Sequence, residues 1–260
     1  MAEQGSLSGR TALVTGSATG LGRAIAEALA RAGAHVGVHG RHEATVQEVV
    51  RGIAASGGTA APVVGDFSAG TAAVQEMFAE AVARLGPLDL LINNAADQRL
   101  TPAAEENAAT WREVLEVNLL AAVELTRLIC TSSDDRAAVS IVNVTSVEGL
   151  SPFPGHAAYA ASKAALHAFT ASAAGEWAPA RVNAVAPGLI ERAGLQQDWP
   201  QGWAFWEQSS PLGRPVTASE VAEAVVFLAS PMASGITGVT LPVDAGWASA
   251  PRTTWGSAQG

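Results

Sequence analysis

The chain has 260 residues, 48% of them hydrophobic, which suffices for one sizeable core in one or two domains. Its 15 basic and 24 acidic residues give a net charge of −9, which argues against binding to nucleic acid or to an anionic membrane surface. The single cysteine, Cys130, excludes an intrachain disulfide and a cysteine-cluster metal site, and its apolar neighbours favour a buried structural thiol over a nucleophile. We predict no metal site.

The amino-terminal sequence, Met-Ala-Glu-Gln-Gly, lacks the basic and apolar regions of a secretory signal. The longest uncharged stretch, between Glu223 and Asp244, contains two prolines and two glycines, so it does not resemble a membrane span. We therefore expect a soluble cytoplasmic protein whose partners are neither nucleic acid nor membrane.

Short β-branched runs alternate with longer alanine-rich segments of helical periodicity. Strands are predicted at residues 11–15, 35–39, 62–64, 88–93, 139–145, 181–186 and 239–243. Helices are predicted at residues 22–32, 44–55, 72–85, 110–130, 159–176 and 218–229. Several strands are continuously apolar, as in strands buried on both faces. The alternation predicts an α/β fold with a doubly wound, seven-stranded parallel sheet and helices on both faces.

Residues 188–214 interrupt this alternation, because prolines and glycines are mixed there with Trp199, Trp203, Phe205 and Trp206. No repeat or low-complexity linker divides the chain, so we predict a single domain over residues 1–260 with one irregular insertion. The four aromatic side chains could line an apolar pocket, or could pack on the core or on a partner subunit.

A glycine-rich turn joins the first predicted strand to the first predicted helix. It consists of Gly16, Ser17, Ala18, Thr19, Gly20, Leu21 and Gly22. Glycines at such a turn let the backbone approach a pyrophosphate, and the N-terminus of the helix offers unpaired N–H groups and a positive dipole. The spacing differs from the usual Gly-x-Gly-x-x-Gly fingerprint, and a glycine-rich turn without a ligand is the alternative.

Tyr159 and Lys163 lie four residues apart in a predicted helix and therefore share one face. A free phenol titrates near pH ~10, and an adjacent ammonium group lowers the pKa of the phenol. Ser146 lies thirteen positions before the tyrosine, at a predicted strand end, where its hydroxyl could hold a substrate oxygen near the phenol. Taken alone, this spacing is common, and an exposed helical pair is the alternative.

Together these motifs resemble, in type and order, those of the short-chain dehydrogenase/reductase family, and in particular its 3-oxoacyl-(acyl-carrier-protein)-reductase-like and alcohol-dehydrogenase-like members. The resemblance covers about residues 7–247. It rests on the glycine-rich turn, Asn93-Asn94-Ala95-Ala96, Asn118, Ser146, Tyr159, Lys163 and Pro187-Gly188. It implies a Rossmann fold and an NAD(P)-dependent oxidoreductase that interconverts a carbonyl and a secondary alcohol by hydride transfer.

The resemblance also implies catalytic roles. Ser146 would orient and polarise the substrate oxygen, and Tyr159 would act as general acid in reduction and general base in oxidation. Lys163 would lower the pKa of the tyrosine and bind the hydroxyls of the nicotinamide ribose. Asn118 would bend its helix and hold a water that links Lys163 to solvent, although an isolated buried asparagine is usually structural.

Two other functions fit a chain of this kind. A catalytically idle, cofactor-binding regulatory protein could keep the same fold, but such proteins commonly lack the tyrosine or the lysine. A sugar-nucleotide epimerase or dehydratase of the extended branch usually has a longer C-terminal substrate domain.

The cofactor is expected to be NADP(H) rather than NAD(H). Gly40 and Arg41 follow the second predicted strand, where NAD-preferring relatives place an acidic residue. The missing acid removes repulsion against a 2′-phosphate, and a guanidinium binds phosphate well. Thr19 departs from the pattern, because many NADP-dependent relatives have Arg or Lys there. Alternatively, Arg41 only begins the next helix.

Further cofactor contacts are implied by the resemblance alone. Asp66 would lie at the adenine amino group with Phe67 against the ring, although a helix-capping aspartate would have the same sequence. Asn93 and Ala95 would lie near the ribose.

Pro187, Gly188 and Ile190 would cover the nicotinamide, and Arg192 replaces a threonine that is frequent in relatives. Arg192 would face a cofactor phosphate, an anionic substrate or solvent.

Residues 189–214 correspond to the variable substrate lid of the family, above a small-molecule carbonyl or alcohol that is expected to be hydrophobic. Candidate pocket walls near the catalytic residues are Val147, Glu148, Phe153 and His156. A homo-oligomer, either a tetramer or a dimer, is expected through the two helices that contain Asn118 and Tyr159.

Overall fold

The computed structural model describes residues 6–249. The amino-terminal residues on which the absence of a signal was predicted, and both ends of the predicted domain, lie outside this range. Seven strands form one sheet: β1 (Thr11–Val14), β2 (His35–Gly40), β3 (Thr59–Val64), β4 (Leu90–Asn93), β5 (Ser140–Val144), β6 (Arg181–Pro187) and β7 (Thr240–Val243). Their order is β3-β2-β1-β4-β5-β6-β7 and every neighbouring pair is parallel, which confirms the predicted doubly wound sheet.

Helices cover both faces of this sheet, because its strands are apolar on both. They are α1 (Gly20–Arg31), α2 (Glu43–Ala55), α3 (Thr71–Leu85), α4 (Ala108–Leu115), α5 (Ala121–Ser132), α6 (Ala157–Glu176), α7 (Leu195–Asp198), α8 (Pro200–Ser209) and α9 (Ala218–Ala229). One core layer contains side chains of α1, α2 and α9, and the other contains side chains of α3, α5 and α6. In β1, Val14 belongs to the first layer and Leu13 to the second, as the two-residue period of a strand requires.

The strand order of the sheet reverses between β1 and β4. From β1 the chain adds β2 and β3 on one side of the sheet, then crosses to place β4 on the other. In open α/β sheets, ligands bind at the carboxyl ends of the strands at such a point. No helix within residues 6–249 is long and apolar enough to cross a membrane.

The structure differs from the predicted elements in three places. The single helix predicted over residues 110–130 is divided by a π-helical turn, Glu116–Leu120, between α4 and α5. Strand β3 begins at Thr59 rather than at Pro62, so that Pro62 lies inside the strand. This is possible because β3 is an edge strand, which tolerates a residue with no N–H to donate. The insertion predicted as irregular contains α7 and α8, and Pro200 occupies the first turn of α8, where proline favours a helix start.

Candidate active site

The glycine-rich turn forms an open cradle at the end of β1. Gly16 and Gly20 have φ angles of +62° and +54°, in the left-handed region that favours glycine. A Cβ atom on Gly22 would lie 2.2 Å from the Gly16 carbonyl oxygen, whereas one on Gly20 would meet no atom within 4 Å. Thr19 is the N-cap residue of α1, and its side chain forms no capping hydrogen bond. The N–H groups in the first turn of α1 are therefore left for another acceptor. These features fit a bound pyrophosphate.

Ser17 holds the shape of this turn. Its side chain is fully buried, and its hydroxyl donates to the Val14 carbonyl oxygen (2.7 Å) and accepts from the His39 N–H (2.9 Å). The Ser17 N–H donates in turn to the His39 carbonyl oxygen at 2.7 Å. The Ser17 hydroxyl therefore bonds to backbone groups of the protein. Its predicted part in cofactor binding would be to hold the turn in shape.

His39, at the end of β2, is a residue that sequence reasoning missed. The Gly16 N–H donates to its Nδ1 atom (3.0 Å), and Nε2 lies 3.2 Å from the Gly65 carbonyl oxygen. These partners assign the neutral tautomer with the proton on Nε2. The ring also stacks on Phe67 at a centroid distance of 4.5 Å, and burial lowers the pKa of His39 to about 4. The signal in the sequence was a histidine that directly follows the apolar run Val36-Gly37-Val38 within a predicted strand.

Asp66 and Phe67 follow β3. The Asp66 carboxylate accepts hydrogen bonds from the Ser68 N–H (3.0 Å) and hydroxyl (2.8 Å), so it has the capping geometry considered as the alternative. These bonds lower the pKa of Asp66, and the exposed Arg41 beyond β2 adds to the effect. Phe67 is buried beneath His39. Their roles at adenine remain predictions.

The residues after β4 tie the turn to the sheet. Asn94 Nδ2 donates to the carbonyl oxygens of Thr15 (2.9 Å) and Gly16 (3.1 Å), and the Ala95 N–H donates to the Thr15 hydroxyl (3.0 Å). Asn93 Nδ2 donates to Asn143 Oδ1 (2.8 Å), while the buried Oδ1 atom of Asn93 has no hydrogen-bond partner among the described residues. An unpaired buried acceptor at this strand end fits a hydroxyl-bearing ligand.

The structure brings Ser146, Tyr159 and Lys163 together at the end of β5. Ser146 caps a short 3-10 turn, Val147–Gly149, and its side chain lies near enough to the Tyr159 phenol to lower the pKa of that group. Lys163, one helical turn after Tyr159, is 2% exposed; its Nζ lies 5.6 Å from the centre of the tyrosine ring and donates to the Val144 carbonyl oxygen at 2.8 Å. The alternative of an exposed helical pair is wrong, because both side chains are buried.

The electrostatics differ from the expectation for this pair. Burial raises the pKa of Tyr159 to about 12, the nearby Ser146 side chain opposes this shift, and the nearby Glu148 charge adds to it. Burial also lowers the pKa of Lys163 to about 8. Lys163 is not among the groups that shift the pKa of Tyr159 here, and the predicted lowering of this pKa by Lys163 remains a prediction.

Asn118 lies in the π turn and is 1% exposed. Its Oδ1 atom accepts from the Asp97 N–H (2.6 Å), and its Nδ2 atom donates to the Asp97 carbonyl (3.0 Å) and to the Ser162 hydroxyl (3.0 Å). The side chain thus joins the segment after β4 to α6 beside Lys163. The helix contains a π turn at Asn118, and the predicted bend and water relay remain predictions.

His167, a further residue missed from the sequence, supports Ser146 from α6. Its Nε2 atom lies 3.2 Å from the Ser146 carbonyl oxygen, and its Nδ1 atom lies 3.2 Å from the Thr240 hydroxyl of β7. Burial lowers the pKa of His167. The strand end that carries Ser146 is thus fixed to both α6 and β7.

The segment after β6 closes over this end of the sheet. The Gly188 N–H donates to the Val243 carbonyl (3.0 Å), and Ile190 pairs with Val216 in an isolated bridge. A Cβ atom on Gly188 would lie 3.0 Å from Trp206 of α8, so the glycine allows this ring to approach.

Arg192 forms an exposed ion pair with Asp198 of α7 (2.7 Å). It also lines an open cleft of about 450 Å³ between the segment 191–197, Trp203 and Thr217. Of the three predicted surroundings of Arg192, exposure to solvent is observed, and contact with a cofactor phosphate or an anionic substrate remains a prediction.

Known proteins are similar to this chain in sequence and in fold. The chain matches the enoyl-(acyl carrier protein) reductase family over residues 16–248. A galactitol 2-dehydrogenase (L-tagatose-forming) of Cereibacter sphaeroides is 41% identical over 190 residues, which are 71% of this chain and 73% of the relative. The 3beta-hydroxysteroid dehydrogenase 1 of Eggerthella lenta is 35% identical over 246 residues, which are 92% of this chain and 94% of the relative.

Among solved structures, a protein of Beutenbergia cavernae described as an NAD(P)-dependent gluconate 5-dehydrogenase, with NADP bound at low occupancy, has a TM-score of 0.86. It is 40% identical, and the similarity covers 94% of this chain and 98% of that one. Family match, sequence identity and fold agree: this chain is a member of the short-chain dehydrogenase/reductase family of oxidoreductases, which act on CH–OH groups.

Proposed function

We propose that this protein is an NADP(H)-dependent oxidoreductase that interconverts a carbonyl and a secondary alcohol, with Tyr159 as the group that transfers the proton. The supporting observation is the arrangement at the carboxyl end of β5, where Ser146, Tyr159 and Lys163 are all buried and Lys163 Nζ lies 5.6 Å from the centre of the tyrosine ring. A general acid must lie within hydrogen-bond reach of the oxygen that it protonates, and a serine hydroxyl beside it fixes where that oxygen is held.

The glycine-rich turn would hold the pyrophosphate of the cofactor, and Lys163 the ribose hydroxyls near the nicotinamide. Asn93 and Ala95 would lie at a ribose, Asp66 and Phe67 at the adenine end, and Pro187, Gly188 and Ile190 along the nicotinamide. When bound, this cofactor supplies the hydride. The residues around it position the substrate and move the proton.

During reduction, the Ser146 hydroxyl would donate to the carbonyl oxygen and hold it against Tyr159 Oη. Tyr159 would then give its proton to the developing alkoxide, and in oxidation it would remove the alcohol proton. The raised pKa of Tyr159 keeps the phenol protonated at neutral pH, which suits the acid role. Asn118 would keep Lys163 and its surroundings in place through its contacts with α6.

NADP(H) is proposed as the preferred cofactor because of Arg41. This exposed guanidinium stands beyond the end of β2 and acts on the Asp66 carboxyl, so it lies on the rim where an adenosine ribose would sit. The solved relative with bound NADP supports the same choice. Thr19 supplies no charge there, so Arg41 would carry the selectivity.

Residues 189–214 are proposed to act as the substrate lid of a single domain, since α8 places Trp206 against Gly188. The named relatives act on a polyol, a steroid and a sugar acid, so the lid region is where this chain would set its own substrate. A cytoplasmic location and a homo-oligomer formed through α4–α5 and α6 complete the proposal, and light scattering would measure the assembly.

The test is the Tyr159→Phe variant, assayed with NADPH against a panel of ketones. We expect turnover to fall at least about 100-fold, the usual contribution of a positioned acid, while the NADPH dissociation constant stays within about twofold. Substantial residual turnover would contradict the role of Tyr159. NADPH binding by the wild-type protein without turnover of any ketone would instead favour the cofactor-binding regulatory alternative.

A further inference from the structure

Two of the candidate pocket-wall residues, Glu148 and His156, form a polar pair beside Tyr159. Glu148 follows Ser146 by two residues, and its backbone N–H donates to the Ser146 hydroxyl oxygen (3.1 Å). His156 is the residue before α6, and its ring lies 5.6 Å from the ring of Tyr159. The two side chains meet, with Glu148 Oε2 and His156 Nδ1 2.8 Å apart. The pair therefore spans the distance between the serine and the tyrosine.

Each side chain keeps one polar atom for another partner. The Glu148–His156 pair is largely shielded, with 15% and 21% of the two side chains exposed. Within residues 6–249, Glu148 Oε1 and His156 Nε2 take part in no hydrogen bond. Oε1 is an acceptor, and Nε2 is an acceptor in the neutral imidazole. The negative charge of Glu148 reaches the phenol, because it adds to the burial that raises the pKa of Tyr159.

Aromatic rings provide a second, apolar surface near this pair. Phe153 lies between Glu148 and His156 in the sequence, and its ring is 6.1 Å from Phe205 of α8 and 5.7 Å from Trp247. Trp206 of α8 continues the cluster, at 5.1 Å from Trp247. The segment between Ser146 and Tyr159 thus contributes both the polar pair and one ring of an aromatic cluster.

On the basis of the proposed function, we infer that Glu148 and His156 form a subsite for a hydroxyl group next to the reacting carbon, so that the preferred substrates are uncharged α-hydroxy ketones and the corresponding vicinal diols. A hydroxyl at that position donates a hydrogen bond to the Glu148 carboxylate. Charge-assisted hydrogen bonds of this kind are the stronger ones.

The same pair disfavours two other substrate classes. A ketone without the hydroxyl would cover Glu148 without giving it a partner, and an unpaired polar group that loses water is costly. A substrate carboxylate would be repelled by the Glu148 charge. The subsite therefore separates hydroxy ketones from both simple ketones and keto acids.

The test compares 2-hydroxycyclopentanone with cyclopentanone, which differ by this one hydroxyl, as substrates with NADPH. We expect the wild type to favour the hydroxy ketone in kcat/KM by about 10- to 100-fold, as for a hydrogen bond to a charged group. In Glu148→Ala this ratio should approach one, and Glu148→Gln, which keeps an oxygen acceptor without charge, should retain part of it. Glu76→Ala removes an exposed carboxylate of α3 and should keep the wild-type ratio.

A ratio near one in the wild type, or a ratio that Glu148→Ala leaves unchanged, would overturn the inference. If neither ketone is reduced, the proposed function fails. The subsite is then tested separately, by measuring the binding of the hydroxy ketone. The dissociation constant of 2-hydroxycyclopentanone would then be measured with NADPH-loaded Tyr159→Phe, with and without Glu148→Ala. A loss of tenfold or more on adding Glu148→Ala would support the subsite, and equal constants would refute it.

Discussion

Acidification acts on the glycine-rich turn at residues 16–22 through His39. At neutral pH its ring accepts the Gly16 N–H at Nδ1 and donates from Nε2 to the Gly65 carbonyl oxygen. A second proton would have to occupy Nδ1, where it would face the Gly16 N–H. Burial lowers the pKa of His39 to about 4 in the folded protein, against an ordinary value of 6.5.

The size and sign of the effect follow from this difference in pKa. Each pKa unit corresponds to about 1.4 kcal/mol, so the full difference is worth about 3 kcal/mol. Below pH ~6.5 the unfolded chain binds a proton at His39 that the folded protein does not, so the free energy of unfolding falls as pH falls. This contribution is complete above pH ~6.5 and is lost by pH ~4.

The assay is urea unfolding between pH 4 and 7.5, followed by the fluorescence of the seven tryptophans. His39→Gln keeps a side-chain acceptor but does not titrate, so its stability should fall less on acidification than that of the wild type, by about 3 kcal/mol over the range. His42→Gln, at an exposed position two residues beyond β2, should behave as the wild type. Parallel curves for the wild type and His39→Gln would refute the reasoning.

Two substitutions test the cofactor site by fluorescence titration. Arg41→Ala should weaken NADPH binding by about 10- to 100-fold through loss of a charged phosphate contact, with NADH binding nearly unchanged; an equal loss for both cofactors would contradict a role at the 2′-phosphate. Gly22→Ala would bring a Cβ atom to 2.2 Å from the Gly16 carbonyl oxygen, so we expect at least about tenfold weaker binding and about 1–3 kcal/mol lower stability. Gly175→Ala in α6 adds a Cβ with no atom within 4 Å and is the matched control; comparable damage from both would show that steric crowding is not the cause.

Hydrophobic periodicity predicts the sheet well, because its strands are buried on both faces and read as apolar runs. Periodicity fails where tertiary contacts, rather than the local sequence, determine the secondary structure of a segment. The segment Thr59-Ala60-Ala61 is too weakly apolar to indicate a strand, and it becomes one by pairing with β2 at the sheet edge. The π turn around Asn118 inserts one residue into a helix whose apolar pattern continues on both sides. In α8, the prolines and glycines that suggested a loop include Pro200, which begins the helix.

In the candidate site, too, the local sequence predicts some features and tertiary contacts determine the others. Local spacing places Tyr159 and Lys163 on one face, and the strand-end position of Ser146 brings it to them. Spacing does not show that Lys163 Nζ donates to the Val144 carbonyl, nor that burial raises the pKa of Tyr159. The contacts of His39 with Gly16 and the contact between Glu148 and His156 join residues separated in the sequence, so no local pattern indicates them.

The central claim is carbonyl reduction by hydride transfer with a proton from Tyr159. Its most direct test is NADPH deuterated at the transferring position of the nicotinamide, incubated with the ketone panel and analysed by mass spectrometry. We predict one deuterium on the carbinol carbon of the product with the wild type, and no measurable product with Tyr159→Phe. Alcohol product without deuterium at that carbon, or equal deuterated product from Tyr159→Phe, would contradict the claim.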